Sequence, residues 1–365
     1  MRTAGAGAAP KGTHVRLYLA GALAIAYVCL LRALPGPSPG LRAAMSDASR
    51  LMARATAALG DCRGSRGLPI DPVSDPNGTG LIGAERTPIT TSPGRLEAKR
   101  TTTNPAFAAL VVSLLDEAGV GRGDAFAVGA SGSFPALIVA TLAAAEALGA
   151  EPLVISSLGA SEYGANLPGF HWADMEDCLR AAGVLDVRPV ARAVGGEGDV
   201  GLDMDPAERG LLASRIRADG VPFLEEPDLE GNVAARMALY RESAGGRPIK
   251  AFVNIGGSTA NIGTDAGVLE LEPGLARGVA VPPPARRGVV QAMAAAGVPV
   301  IHLLNVKGLC ERYGLPWDPQ PLPAPGEGPL RRRIAARTAP AAALDIAYIL
   351  AMSVILIRRR RWPDR

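Results

Sequence analysis

The stretch AFAVGASGSFPALIVATLAAAEALGAEPLVISS, residues 125–157, decides the fold of this chain. It contains a short apolar strand at 125–129, a turn rich in glycine and serine, a helix at 134–148 and a second apolar strand at 153–157. Two strands joined through a helix pair in parallel, because a parallel pair needs a crossover connection of about this length. The segment therefore predicts an α/β fold with a parallel sheet.

The same alternation of helices and strands continues on both sides of this segment. Upstream, a helix at 104–118 begins with Asn104 as its N-cap and Pro105 at its first position. Downstream, strands are predicted at 186–192, 251–255 and 298–304, with helices near 172–182, 206–219, 228–243 and 287–296. Strands that are apolar throughout suit a sheet covered on both faces. We predict an open, mostly parallel, Rossmann-like sheet with helices on both faces, within residues 45–313.

Each end of the chain carries an apolar segment. Residues 17–31 are an uncharged run of fifteen residues, and residues 339–357 are apolar apart from Asp345. These segments predict N- and C-terminal transmembrane helices, although the first is short enough to be a signal anchor or a cleaved signal peptide. The flanking basic residues predict a cell-membrane protein with both termini cytoplasmic and the α/β domain extracytoplasmic. We expect Asp345 to face a partner helix or the membrane interface.

Composition sets the remaining domain boundaries. Residues 1–16 form a basic N-terminus, residues 358–365 form a basic tail, and residues 314–338 form a Pro-rich, basic linker. Residues 63–103 are polar, rich in Gly, Pro and Thr, and show little periodicity. A loop of that length inside a domain predicts a functional role.

Charge and cysteine content exclude several classes of protein. The formal net charge is +3, but the basic excess lies at the two ends and the part between them is net acidic. This argues against a nucleic-acid-binding surface. The four cysteines form no CxxC pair, so we expect no metal; at most one disulfide fits the domain, and buried free thiols are the favoured alternative. Walker A and GxGxxG patterns are absent, so we expect no cofactor.

Loops rich in glycine, serine and asparagine follow the predicted strands. They lie at 129–135, 156–166, 195–199, 254–263 and 303–308. Ligands of open α/β sheets bind at the carboxyl ends of the strands, where these loops meet. Backbone N–H groups and hydroxyls there predict a polar pocket for a carboxylate or phosphate, although each loop alone also fits an ordinary turn.

One of these loops resembles a nucleophile elbow. Ser131 lies between a strand and a helix, but Ser133 replaces the last glycine of the GxSxG pattern. His171 and His302 are the histidines available as a general base, so a hydrolytic Ser131–His302 pair is one hypothesis. The alternatives are a ligand-binding hydroxyl or helix cap for Ser131, and a hydrogen-bonded core histidine for His302.

Lys99 is the most distinctive basic residue. The chain has only four lysines, since its basic residues are nearly all arginine. A lysine kept against that bias indicates a compact ammonium in a pocket, and a solvated loop lysine is the alternative. Our catalytic candidates are Ser131, His302 and Lys99. Our ligand-binding candidates are Thr90, Thr91, Lys99, Arg100, Ser131, Gly132, Ser133, Ser161, Asn166, Gly256, Gly257 and Asn305.

Several long strings carry a family resemblance. They are DPNGTGLIGAERTPITTSPGRLEAKRTTTNP (75–105), AVGASGSFPAL (127–137), ISSLGASEYGAN (155–166), FVNIGGSTANIG (252–263) and VIHLLNVKGLCERYGLP (300–316). In order, and over about residues 45–320, the chain resembles the bacterial poly-γ-glutamate system protein family. The resemblance implies a role in the synthesis or export of poly-γ-glutamate, an anionic capsule-like or secreted polymer, at the cell membrane. It implies a pathway and no catalytic assignment.

Three hypotheses for the function follow. The first is a membrane-anchored accessory protein that binds glutamyl carboxylates or partner synthase subunits. The second is an extracytoplasmic γ-glutamyl hydrolase or transpeptidase that uses Ser131. The third is a non-catalytic structural subunit of the synthase complex. The expected partners are glutamate or the γ-glutamyl polymer, membrane subunits for its synthesis and export, and the membrane, with no nucleic acid.

Overall fold

The computed structural model describes residues 11–33, 37–186, 188–326 and 339–357. These residues belong to two compact units, one comprising Pro39–Leu330 and the other combining Met1–Ser38 with Arg331–Arg365. The predicted basic tail at 358–365, the first ten residues of the predicted basic N-terminus and part of the predicted linker, 327–338, lie outside the described residues.

The larger unit alternates strands and helices in chain order. Its strands are β1 (Ala125–Ser131), β2 (Glu151–Ser157), β3 (Asn166–Leu167), β4 (Phe170–His171), β5 (Ala191–Ala193), β6 (Phe223–Leu224), β7 (Ile249–Ile255), β8 (Gly274–Ala276) and β9 (Val300–Leu303). Its helices are α2 (Pro39–Ser65), α3 (Leu96–Thr102), α4 (Ala106–Glu117), α5 (Pro135–Leu148), α6 (Trp172–Ala181), α7 (Pro206–Ala218), α8 (Leu229–Ser243), α9 (Thr259–Ile262), α10 (Val289–Ala295) and α11 (Val306–Tyr313). The smaller unit contains α1 (Lys11–Ala33) and α12 (Ala339–Ile357).

Seven strands form one sheet in the order β6-β5-β2-β1-β7-β9-β8. All neighbouring pairs are parallel except β8 with β9, which are antiparallel. The strand–helix–strand segment at 125–157 forms β1, α5 and β2, with Ala125 opposite Glu151 and Ser131 opposite Ser157. The predicted α/β fold with a mostly parallel sheet is therefore present.

The central strands are buried on both faces, as their continuous apolar sequences require. Ala127 of β1 and Phe252 of β7 belong to a core cluster with Tyr240 of α8 and Met293 of α10. The alternate residues of these strands, such as Val128, are equally buried. Since side chains alternate across a strand, Val128 belongs to the opposite face of the sheet.

The polar stretch at 63–103 is held in place by buried hydrogen bonds. Arg63, at the end of α2, is buried and donates to the carbonyl oxygens of Gly80 (3.1 Å) and Ile82 (2.6 Å). The Asp75 carboxylate accepts from the backbone N–H of Gly80 at 2.7 Å. Helix α3, which contains Lys99, lies at the end of this stretch. The hydrogen bonds of residues 63–103 therefore help to fix the position of Lys99.

A disulfide joins Cys62 of α2 to Cys178 of α6, with 6.1 Å between the two Cα atoms. Cys310 is a buried free thiol, whose pKa is raised to about 12 by burial. Of the two alternatives allowed by the sequence, one disulfide in the domain is therefore the observed one. The pairing depends on two helices that are distant in sequence and adjacent in space.

Helices α1 and α12 contact each other within the smaller unit. The hydroxyl of Tyr27 donates to the carboxylate of Asp345, and the ring of Tyr27 stacks on that of Tyr348, with centroids 4.2 Å apart. Asp345 therefore has a partner on another helix.

The prediction of transmembrane helices at 17–31 and 339–357 is wrong. Within the described residues we find no helix that combines the length and the apolar character needed to cross a membrane. The first apolar run has only fifteen residues, where a span needs about 20. The second carries the Asp345 carboxylate in its middle part. The prediction of flanking transmembrane segments is corrected accordingly.

Candidate functional site

A cavity of about 540 Å³ lies at the carboxyl ends of the central strands. It is lined by residues at or just after the ends of β1, β2, β7 and β9, namely Ser131, Ser157, Gly257 and Asn305. The four loops meet there because parallel strands all present the same end to one edge of the sheet. Helix α3 with the residues before it, the segment after β5 and Trp317 also line the cavity.

The structure brings many of the predicted ligand-binding residues to this cavity. Those that line it are Thr91, Lys99, Ser131, Ser133, Ser161, Gly257 and Asn305. They come from five separate segments of the chain, and the loops at strand ends account for all but Thr91 and Lys99.

The other predicted residues act on the loops around the cavity. Asn166 donates to the Thr90 hydroxyl at 2.9 Å and to the Ala84 carbonyl oxygen at 2.8 Å, which ties the polar stretch to the loop after β2. Arg100 forms an ion pair with Asp318, and its Nε donates to that carboxylate at 2.7 Å. These three predicted residues stabilise the surroundings of the site.

Gly132 and Gly256 allow the loops to approach closely. A Cβ at Gly132 would lie 2.9 Å from the carbonyl oxygen of Leu158. Gly256 has a φ of +80°, in the left-handed region, and a Cβ there would lie 3.0 Å from that of Ser131. Both glycines are therefore needed for the packing of strand ends beside Ser131.

Lys99 projects from α3 into the buried side of the cavity. Only 3% of its surface is exposed. Its Nζ donates to the Ser161 hydroxyl at 2.7 Å and to the carbonyl oxygen of Ser133, and it lies 3.8 Å from the centroid of the Phe134 ring. Burial lowers the pKa of Lys99 to about 7. At neutral pH this amine is divided between a form that attracts anions and a form that accepts a proton.

Three serines continue from Lys99 in a hydrogen-bonded series. The backbone N–H of Ser161 donates to the Ser133 hydroxyl at 3.0 Å. The Ser131 hydroxyl donates to the same Ser133 oxygen at 3.0 Å. Ser161 is thereby fixed by its backbone, while its hydroxyl faces Lys99.

The mouth of the cavity carries charges of both signs. Arg95 and Lys307 are exposed cations, and Glu197 and Asp203 are exposed carboxylates. Asp203 also accepts from the backbone N–H of Glu197 at 2.8 Å, which holds the two acidic residues together. A ligand with both a carboxylate and an ammonium group would match this arrangement.

A buried ion pair stabilises the turn that carries Glu197. Asp199, two residues after Glu197, accepts from Arg236 at 2.6 Å and from Asn232 at 3.0 Å. All three of these side chains are buried. The turn that carries Glu197 is therefore anchored to α8.

His302 lies inside the sheet. It is buried in β9, where its Nδ1 is 3.1 Å from the Asn254 side-chain nitrogen, and burial lowers its pKa to about 4. The hydroxyl of Ser131 bonds to Ser133 instead. The hypothetical Ser131–His302 pair has no hydrogen bond among the described residues, and the core-histidine alternative describes the position of His302.

Several lining residues were not among our candidates. Arg95, Glu197, Asp203, Lys307 and Trp317 all contribute to the cavity. Glu197 and Lys307 lie in loops, 195–199 and 303–308, that the sequence predicts to bind a ligand. The position of these loops could therefore be predicted, but the candidate residues named in them did not include these two side chains. Trp317 lies in the segment predicted as a linker; its position depends on the neighbouring ion pair between Asp318 and Arg100.

The described residues contain no group of three or more His, Cys, Asp or Glu side chains that could hold a metal ion. No family model matches the chain, and neither the curated proteins nor the solved structures contain a match.

Proposed function

We propose that the cavity binds glutamate or the end of a γ-glutamyl chain, and that the protein is an accessory component of poly-γ-glutamate synthesis or export. The observation that carries this proposal is the distribution of charge. Lys99 and Lys307 line the cavity as amines that can receive carboxylates, and Glu197 and Asp203 line it as carboxylates that can receive an ammonium group. A free γ-glutamyl chain end presents both kinds of group.

The size of the cavity and the charge of the chain favour a chain end. A volume of about 540 Å³ falls within the usual range for small-molecule sites. The part of the chain between its basic ends is net acidic, which does not favour contact along a polyanion. The proposal therefore assigns recognition to the terminal residues of the polymer.

Two further features support the pathway and the location. The strings quoted above resemble the poly-γ-glutamate system protein family, and two of them, at 75–105 and 155–166, supply Thr91, Lys99 and Ser161 to the cavity. The Cys62–Cys178 disulfide is typical of proteins in oxidising compartments, which supports a location outside the cytoplasm. Partner synthase subunits belong to the same proposal.

Calorimetric titration of the full chain tests the binding. We expect glutamate and γ-glutamyl oligomers to bind, and glutarate to bind more weakly because it has no ammonium group for Glu197 and Asp203. Lys307→Met and Glu197→Gln should each weaken binding of the γ-glutamyl oligomer about 3- to 10-fold. Lys250→Met and Glu242→Gln, which change charges that do not line the cavity, serve as controls. Equal affinity for glutarate and glutamate, or no binding of either, would contradict the proposal.

A further inference from the structure

We propose that Ser161 and Lys99 form a catalytic dyad for amide-bond cleavage or transfer, with Ser161 Oγ as the nucleophile and Lys99 Nζ as its general base. The class of reaction follows from the geometry of the two side chains. The γ-glutamyl amide as substrate rests on the function proposed above. Our earlier hydrolase hypothesis used Ser131, so this dyad assigns a different nucleophile and a different base.

The contact between the two side chains has the geometry that proton transfer requires. Lys99 Nζ and Ser161 Oγ are 2.7 Å apart, and both residues line the cavity. A general base must lie within about 2.6–3.2 Å of the group it deprotonates. The two side chains already meet this requirement without a ligand.

The surroundings of Lys99 favour a neutral amine. Its polar contacts are the Ser161 hydroxyl and the Ser133 carbonyl oxygen, and the Phe134 ring covers it on another side. In the described part of the chain, no carboxylate lies within ion-pair distance of Lys99, although the exposed Glu197 and Asp203 share its cavity. A neutral amine has two N–H groups and one lone pair. An N–H to the Ser133 carbonyl leaves the lone pair free to accept the Ser161 proton.

The position of Ser161 favours it over the other serines as the nucleophile. Its backbone N–H is held by the Ser133 hydroxyl, so its side chain is oriented by a fixed loop. The Ser131 hydroxyl bonds to that same Ser133 oxygen and has no basic partner there. Activation of a serine needs an adjacent base, and Lys99 supplies one to Ser161.

The reaction balances with residues and substrate alone. Ser161 Oγ attacks the amide carbonyl carbon while Lys99 Nζ takes the hydroxyl proton. The C–N bond then breaks, the departing amine takes that proton from Lys99, and an ester to Ser161 remains. Water, or the amine of a second chain, attacks this ester and gives a proton to Lys99, which returns it to Ser161 Oγ as the C–O bond breaks. The products are a carboxylic acid after hydrolysis and a new amide after transfer.

Chromogenic γ-glutamyl p-nitroanilide and γ-glutamyl oligomers test the activity of the full chain. Ser161→Ala and Lys99→Met should each lower kcat by about 10³-fold or more. Lys99→Arg, which retains the charge and cannot lose it at neutral pH, should be equally impaired. Ser214→Ala and Lys250→Met lie away from the cavity and should leave activity unchanged. Loss of activity in Ser131→Ala together with full activity in Ser161→Ala would overturn the dyad.

Covalent labelling gives a readout that does not depend on the substrate. A fluorophosphonate probe should add to Ser161 with loss of fluoride, and mass spectrometry should locate the adduct on that residue. The labelling rate should rise with pH through a midpoint near 7, and this rise should be absent in Lys99→Met. The other charged groups facing the cavity are Arg95, Lys307, Glu197 and Asp203, so Lys307→Met and Glu197→Gln should retain the rise. No adduct on Ser161 would overturn the proposal.

The two proposals fail in different ways. Calorimetric binding of γ-glutamyl oligomers without any turnover or labelling would sink the dyad and leave the proposed function intact. Labelling of Ser161 together with cleavage of other amides, but no affinity for glutamyl compounds, would support the dyad and contradict the proposed function. Thermal unfolding of each variant confirms that it is folded, which keeps an inactive variant interpretable.

Discussion

Two of the buried cations in this protein, Arg192 and Lys99, differ in how their charge is compensated. In β5, next to the edge strand β6, Arg192 is buried between two carboxylates and forms ion pairs with Glu176 and with Asp219, the latter at 2.9 Å. At the carboxyl end of β1, Lys99 is buried against a hydroxyl, a carbonyl oxygen and an aromatic ring. Two carboxylates compensate the guanidinium, whereas the lysine has no carboxylate partner among the residues described and burial lowers its pKa to about 7.

The presence or absence of a carboxylate partner distinguishes buried cations that stabilise the fold from Lys99, which can change its protonation state near neutral pH. Arg236, which is paired with Asp199, belongs with Arg192 and anchors the turn that bears Glu197. A guanidinium suits such sites because it remains charged and can bind two acceptors at once. An ammonium without a carboxylate partner is costly to bury, so its retention at a cavity wall indicates chemistry.

The largest expected effect is the pH dependence of stability that Lys99 imposes. Between pH 7 and about 10.5 the unfolded chain carries a proton on this lysine that the folded chain lacks, so wild-type stability should rise with pH in that window. A fall in the pKa of Lys99 from 10.5 to about 7 corresponds to as much as about 5 kcal/mol in the free energy of unfolding. Lys99→Met should remove this rise and be the more stable protein at pH 6.

Urea unfolding at pH 6, 7, 8, 9 and 10 measures this effect. The relevant quantity is the difference between wild type and Lys99→Met, since other groups that titrate in alkali contribute to both proteins. Lys250→Met should follow the wild-type curve. A difference that stays constant from pH 6 to pH 10 would show that Lys99 is charged throughout, and the comparison with Arg192 would then fail.

The second effect is the loss of a compensated charge. Arg192→Met leaves the buried Glu176 without its cation, whereas Asp219 keeps an ion pair with Arg215 at 2.8 Å. We expect a loss of about 3–5 kcal/mol in the free energy of unfolding. Burial already raises the pKa of Glu176, so the variant should bind a proton at that carboxyl on folding. Arg180→Met, which removes partly exposed ion pairs with Asp177 and Asp186, should cost no more than about 1 kcal/mol. Equal losses in the two variants would contradict a special role for the buried pair.

The sequence predicts the frame of this site better than its details. Apolar strands separated by a helix determine the parallel pairing of β1 and β2, and the glycine-rich loops necessarily meet at one edge. Lys99 was recognisable because lysine is rare in this chain. Trp317 and the Cys62–Cys178 bond were not, since both depend on segments far apart in sequence that pack together. The apolar runs near the two ends were interpreted by composition alone, and that interpretation was wrong for the helices described.

The smallest expected effect concerns the aromatic wall of the lysine site. The Phe134 ring lies 3.8 Å from Lys99 Nζ and favours the charged form of the amine through its quadrupole. Phe134→Leu keeps an apolar side chain and removes that attraction, so the pKa of Lys99 should fall by about one unit or less. The direction of the pKa change is informative. If the ring acted only by excluding water, its replacement would raise the pKa of Lys99 instead of lowering it.

Carbon NMR of lysine labelled at Cε measures this pKa directly, and a chain with four lysines gives a simple spectrum. Phe223→Leu is the matched control, because the Phe223 ring contacts Arg217 on α7 and does not line the cavity. It should leave the titration midpoint of Lys99 unchanged. A midpoint that rises in Phe134→Leu would mean that the ring lowers the pKa by excluding water, and Lys99 would then owe even more of its reactivity to burial.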